Sequence, residues 1–342
     1  MTNPPQLEAR ELTRHFVVRT GHGLIRPKKV VRAVDDVSLS LYAGRVTAVV
    51  GESGSGKSVL ARMLARIVTP TSGEILIEGN AIAGDAPRTL SYTSQVQLVL
   101  QDPFASINPV HPIRHSLERP LRIHATPRDQ VEDRARATLA RVALDPPDRY
   151  LDRYPHELSG GQLQRVSIAR ALCVNPKVLL ADEPISMLDV SVRLGVLNLL
   201  RGLCDDERLA VLYITHDIAS ARYIADATIV MYAGQVVERS EGTSLIDAPS
   251  HPYTQLLIAS VPDPSDPLRR TPETENRAGQ GQFPAEGCRF APRCPHVMDV
   301  CRATAPPLIE VTSGHESRCW LHEGASRVAI TSRGQGGTTS NT

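Results

Sequence analysis

The run Gly51-Glu52-Ser53-Gly54-Ser55-Gly56-Lys57-Ser58 constrains this chain more than any other feature. It satisfies the Gly-x-x-x-x-Gly-Lys-Ser pattern of a phosphate-binding loop. A short apolar run, Arg45 to Val50, leads into it, and Ser58 to Ile67 follows with apolar residues at helical spacing and few breakers. Strand, loop and helix in that order make the pattern far more specific than a chance glycine-rich turn. The glycines let consecutive backbone N–H groups face one anion, and the helix N-terminus adds about half a positive charge. All eight residues are candidate nucleotide ligands. Lys57 is expected to reach the β- and γ-phosphates, and the Ser58 hydroxyl to bind Mg²⁺.

Two further runs read as strands buried on both faces, Val178–Ala181 and Val211–Thr215. The first ends in Asp182-Glu183. An aspartate there can hold Mg²⁺ beside the phosphate loop, and the next carboxylate can polarise an attacking water as general base. His216 follows the second strand. A lone histidine is more often structural, but at the end of a parallel strand it lies on the ligand-binding edge of the sheet. Gly73–Gly79 and Ile229–Glu238 read as antiparallel strands with turns, and residues 102–175 carry helical patterning.

Composition narrows the partners. The 342 residues carry a formal net charge of +1, which gives no electrostatic case for nucleic acid. No apolar run approaches the ~18 residues a membrane-spanning helix needs, and the first residues lack signal-peptide character. Ser159 can cap a helix running through Gln162–Cys173, leaving N–H groups of Gly160 and Gly161 exposed. That is a second anion-binding helix end in a chain with one phosphate loop, so two half-sites imply a dimer.

Leu158-Ser159-Gly160-Gly161-Gln162-Leu163-Gln164-Arg165 closely resembles the signature motif of ABC ATPases. Other elements of that family stand in order: Gln101 resembles the Q-loop glutamine, and Ser186-Met187-Leu188-Asp189 the D-loop, with Met187 where alanine is commoner. The resemblance covers about residues 7–255. It implies an α/β fold, a phosphate-loop NTPase cassette with a mixed-sheet core, an antiparallel β subdomain and a helical subdomain over about 102–175. It implies ATP with Mg²⁺ held by Ser58, Gln101 and Asp182, Glu183 as base, and Gln101 and His216 in catalytic roles. Ser159, Gly160, Gly161 and Gln162 would clamp the γ-phosphate of ATP on a second ABC subunit, identical or paralogous, with Asp189 at the shared interface. For the aromatic that stacks on adenine, Phe16 and Tyr42 are the candidates, with a basic insertion from Arg19 to Lys29 following the first.

Five prolines from Ser260 to Pro284 inclusive mark a linker. Beyond it Cys288, Cys294, Cys301 and Cys319 are separated by five, six and seventeen residues. Without C-x₂-C pairs this spacing fits an iron–sulfur cluster at least as well as zinc, and unligated thiols are the simpler alternative. With so few large anchors, Phe290 and Trp320, the segment is expected to need a metal or a docking partner. Cys173 and Cys204 read as core. Residues 251–264 and these cysteines resemble the C-terminal extension of the oligopeptide/dipeptide importer branch. That implies a [4Fe–4S] cluster on the four cysteines, two membrane permeases, an extracytoplasmic solute-binding protein, and a place on the cytoplasmic face of the plasma membrane. The expected organisation is a cassette over 1–255, linker and extension over 256–330, and a disordered tail over 331–342. The solute is expected to be a peptide, with nickel or an oligosaccharide as the alternative within the branch. A soluble ABC ATPase acting on nucleic acid is disfavoured by the single cassette, the lack of heptads and the near-zero charge.

Overall fold

Period-two alternation inside continuous apolar runs organises the molecule. In the strand Val46–Val50, residues 46, 48 and 50 pack into one hydrophobic cluster and Val49 into another. The strand at 210–215 behaves alike, with Val211 and Tyr213 on one side and Ala210, Leu212 and Ile214 on the other. A sheet apolar on both faces must be covered on both faces. The structure, a computed structural model, describes residues 4–19, 28–82, 89–242, 244–260, 283–284 and 286–323. The expected tail at 331–342 and nearly all of the proline-rich connection lie outside them.

Among the described residues there are two sheets. The smaller is antiparallel, in the order β2 (Lys28–Leu41), β1 (Leu7–Arg19), β4 (Ser72–Ile77), β5 (Asn80–Ile82). The larger has eight strands, in the order β11 (Ile309–Thr312), β12 (His315–Ser317), β10 (Gln235–Glu241), β9 (Ala227–Tyr232), β3 (Val46–Val50), β8 (Ala210–Thr215), β7 (Val178–Asp182), β6 (Val96–Val99). The small sheet and α1 (Lys57–Leu64) cover one face. The other face carries α2 (Ile113–Ile123), α3 (Val131–Arg141), α4 (Gly160–Leu172), α5 (Val190–Glu207) and α6 (Ile218–Ile224).

Three expectations are adjusted. The helix after the phosphate loop ends at Leu64 rather than Ile67, because Arg66 takes a left-handed φ of 55°. The 229–238 stretch is a hairpin, as its turn implied, yet β9 also runs parallel to β3 and so belongs to the central sheet. The carboxy-terminal segment, expected to need a metal or a docking partner, docks on its own cassette: β12 pairs antiparallel with β10 and carries β11 outward, extending the main sheet.

That segment is sealed by buried polar chemistry. Glu238 is fully buried, lies 2.7 Å from His315, and accepts hydrogen bonds from the N–H groups of Ser250 and His251. Phe290, 1% exposed, packs against Tyr232, Tyr253 and His251. Trp320, the other expected anchor, is only half-buried and donates its indole N–H to the Thr304 carbonyl at 3.0 Å.

Candidate active site

Parallel strands β3, β7 and β8 end side by side, so the residues after each meet at one edge of the sheet. The cleft there has a volume of about 1190 Å³ and is lined by Ser53, Gly54, Gly56, Lys57, Ser58, Gln101, Glu183 and His216, all foreseen as site residues. Its other wall is Lys29 to Ala33 of β2, with Ala233, Phe283, Pro284 and Arg289.

The loop's shape depends on close approach. Gly56 has φ 106°, and a Cβ there would overlap the Ala33 carbonyl oxygen. Lys57 is buried, and its ammonium donates to the carbonyls of Gly51 at 2.7 Å and Glu52 at 2.8 Å. Burial lowers its pKa, opposed by the carboxylates of Glu183, Asp182 and Glu52.

Ser58 Oγ donates to Asp182 Oδ1 at 2.9 Å, joining the first turn of α1 to the end of β7. Burial raises the Asp182 pKa against that hydrogen bond. An oxygen pair of this kind at a phosphate loop suits a hard divalent cation, which would favour the ionised carboxylate. Glu183 leaves the strand with φ 48°, its N–H bonded to the Ile214 carbonyl at 2.9 Å. Its Oε2 accepts from Gln101 Nε2 at 3.0 Å and stands 3.2 Å from His216 Nδ1.

The signature residues are elsewhere. Ser159 caps α4 reciprocally: Ser159 Oγ accepts from the Gln162 N–H at 3.3 Å, and Gln162 Oε1 from the Ser159 N–H at 3.0 Å. None of Ser159, Gly160, Gly161, Gln162 or Asp189 lines the cleft. Nor does either adenine candidate. Phe16 pairs in register with Val31 and has the Arg14 guanidinium 4.6 Å over its ring, while Arg45 lies 6.0 Å over Tyr42.

Sequence reasoning missed the contribution of the last sixty residues. Phe283 and Arg289 wall the cleft, and Arg293 forms a two-pronged pair with Glu52. No local pattern signals these contacts, since the partners are hundreds of residues apart.

Cys173 and Cys204 are buried, their thiols pushed up by burial to about 12 and about 11. Cys288, Cys294, Cys301 and Cys319 line one small cavity, and the Cys288 N–H donates to the Cys301 carbonyl at 2.7 Å. Burial pushes the Cys319 thiol up to about 11 and raises Cys288 and Cys294 as well. Among the described residues no group of three or more His, Cys, Asp or Glu is arranged to hold a metal ion. The four thiols share a cavity without closing a single-ion ligand set.

A phosphate loop between β3 and α1, with carboxylates at the end of β7, one strand beyond β8 in the same parallel array, defines a nucleotide-binding ATPase of the phosphate-loop class. Residues 34–186 match the ABC transporter family model, and residues 237–301 match the oligopeptide/dipeptide transporter C-terminal region. The chain belongs to the ATP-binding proteins of the ABC transporter family and is an ATPase. It is 40% identical over 328 residues to the probable peptide ABC transporter ATP-binding protein y4tS of Sinorhizobium fredii, covering 95% of this chain and 92% of that one. It is 40% identical to the oligopeptide transport ATP-binding protein AppF of Bacillus subtilis, over 92% of this chain and 97% of that one. The di/tripeptide transport ATP-binding protein DppF of Pseudomonas aeruginosa is 42% identical, over 88% and 93%. An ATP-binding cassette solved as a dimer in a post-hydrolysis state with ADP and Pi superimposes with a TM-score of 0.59 at 28% identity, covering 69% of this chain and 98% of that one. Among the described residues no helix is long and apolar enough to cross a membrane.

Proposed function

We propose that this chain powers import of peptides across the plasma membrane by binding and hydrolysing ATP at its cytoplasmic face. In this reading the loop Gly51–Ser58 cradles the triphosphate, and Lys57 swings from its carbonyl partners to the β- and γ-phosphates. Ser58, Asp182 and Gln101 hold Mg²⁺, partly through water. Glu183 is the general base, with His216 and Gln101 fixing its carboxylate and the attacking water. Similarity to peptide transporters over nearly the whole chain, the carboxy-terminal region included, supports a peptide as the solute.

The observation that carries the mechanism is the separation of the two anion-binding ends. The cleft holds the phosphate loop and Glu183, while the capped α4 terminus at Ser159 lies outside it. A helix N-terminus outside its own chain's cleft suits the γ-phosphate of a second cassette, identical or paralogous, docked head to tail. Asp189, at the start of α5, would lie at that interface. Two permease subunits and an extracytoplasmic binding protein complete the assembly. The stretch after Gln101 leaves Phe104 and Val110 exposed, which suits contact with permeases.

We further propose that Cys288, Cys294, Cys301 and Cys319, which line one small cavity, are the ligands of a [4Fe–4S] cluster, as the resemblance of the extension implies. Four thiols are its usual donor set, and a cuboidal cluster spreads its ligands more widely than one ion does. Its contribution would be structural, since ATP hydrolysis calls for no electron transfer. Anaerobically purified protein should contain iron and sulfide that Cys294→Ser removes; zinc alone would sink this assignment.

The trans arrangement is tested with Ser159→Arg. Hydrolysis should collapse while the isolated chain still binds Mg·ATP, and reconstituted complexes should lose uptake of labelled peptide. Lost ATP affinity in the monomer would put Ser159 in its own chain's site and end the head-to-tail reading.

A further inference from the structure

The second residue of the phosphate loop is gripped from the far end of the chain. Arg293 Nη1 and Nη2 donate to Glu52 Oε2 and Oε1, both at 2.9 Å. The Arg293 guanidinium lies 5.8 Å from the ring centroids of Tyr232 and Phe290, so its plane is fixed by aromatic neighbours. Glu52 is held at two further points: its N–H donates to the Tyr253 hydroxyl at 2.8 Å, and its carbonyl accepts from Lys57. Tyr253 itself lies in the helix α7 (Pro252–Ala259), just before the extension.

A second arginine of the same segment works on the other side. Arg289 is buried and donates to Asp35 and to the Ala233 carbonyl. Asp35 follows Ala33, whose carbonyl crowds the phosphate-loop Gly56, by two residues, and Ala233 precedes Gly234, the other backbone neighbour of that glycine. The segment 289–293 therefore clasps the nucleotide loop and the strand that backs it.

The chemistry gives the clasp a purpose. A loop evolved to gather N–H groups around a triphosphate carries a carboxylate at its second position. A free carboxylate there would repel the incoming anion and could draw Lys57 away from it. Arg293 neutralises that charge and fixes the fork that carries it. We propose that Arg293 is a positioning residue of the ATP site, through which the carboxy-terminal extension sets affinity for Mg·ATP. This rests on the cleft being the ATP site, and the test keeps the two apart.

Steady-state ATPase kinetics of the full chain are measured for wild type, Arg293→Ala, Glu52→Gln and the double variant, with melting temperatures recorded alongside. Arg293→Ala should raise KM for Mg·ATP roughly 5- to 20-fold, the range left for a partly exposed charge pair after screening, with kcat much less affected. In the double variant, where no carboxylate is left unpaired, KM should fall back toward that of Glu52→Gln alone. If the arginine were only a strut for the extension, both single variants would lose the same stability and the double variant would not recover. Unchanged KM in Arg293→Ala, or a double variant no better than it, overturns the proposal. Should Arg293→Ala not fold, Arg293→Gln, which retains more of the side chain over the two rings, gives the same comparison. Lys57→Ala reports on the ATP site itself: loss of hydrolysis there with no effect at Arg293 would leave the site standing and remove only the clasp.

Discussion

His216 Nδ1 stands 3.2 Å from Glu183 Oε2, the same oxygen that accepts from Gln101 Nε2. Residues from the ends of β8 and β6 thus converge on one oxygen of the carboxylate that follows β7, leaving Oε1 outside this pair of contacts. A carboxylate held on one oxygen and free on the other is pre-set to take a proton from water. Glu183→Gln keeps the hydrogen-bonding shape and removes the base. Turnover should fall by ~10²–10⁴, with Mg·ATP binding retained and an ATP-bound dimer appearing by size exclusion. Undiminished ATPase activity would remove Glu183 from the role proposed here.

Asp182 is a carboxylate whose burial works against its charge. Burial raises its native pKa above that of the unfolded chain, so the native state holds its proton more tightly. The sign follows: this group stabilises the empty fold at low pH and loses that contribution as pH rises through the native pKa. Asp182→Asn should therefore raise the melting temperature of nucleotide-free protein at neutral pH. It should also abolish the extra stabilisation that Mg²⁺ adds to ATP, because the cation has lost its anionic ligand. Thermal melts with ATP, with and without Mg²⁺, check both halves; a variant still stabilised by Mg²⁺ would clear Asp182 of metal binding.

His251 carries the opposite sign. It is 1% exposed, its Nδ1 accepts from the Tyr253 N–H at 3.0 Å, and burial drives its pKa down to about 3. The unfolded chain binds a proton near pH 6.5 that the native state refuses, so stability is lost as pH falls from about 6.5 toward 3. At pH 5 the loss from this residue is about 2 kcal/mol. His251→Asn keeps a side-chain oxygen for the Tyr253 N–H and does not titrate. Its stability should be lower at pH 7 yet fall less steeply between pH 6.5 and 4 in denaturant titrations. Parallel pH profiles for the two proteins would contradict this.

What the sequence disclosed depended on contiguity. The phosphate loop needs eight consecutive residues and a flanking strand and helix, so its geometry is local and was legible. Asp182, Glu183 and His216 were legible because buried parallel strands are continuous apolar runs whose ends can be read. The β1–β2 hairpin was not, since register shifts at Ala9/Leu12 and Leu12/Arg14 interrupt its period-two pattern. Arg293 and Glu52 are 241 residues apart, and no local rule joins them. The strands β11 and β12 have four and three residues, too short for alternation to announce, and exist because β10 offers them an edge.

Gly161 separates two explanations of the signature motif that the sequence could not. A Cβ at this position would overlap Val192 Cγ1, so the glycine lets α4 approach the start of α5. Packing alone would then account for it. Val192 is β-branched and stiff, and it cannot easily turn aside. Gly161→Ala should cost about 1–3 kcal/mol of stability as overpacking, and Val192→Ala in the same chain should return much of it by making room. Hydrolysis distinguishes the readings. If Gly161 serves only the α4–α5 contact, ATPase activity returns with stability in the double variant. If it also keeps the helix end open to a partner's γ-phosphate, the double variant is stable, binds Mg·ATP as a monomer, and still hydrolyses slowly. The proposed trans site requires the second outcome, measured by denaturation and ATPase assays on the same preparations.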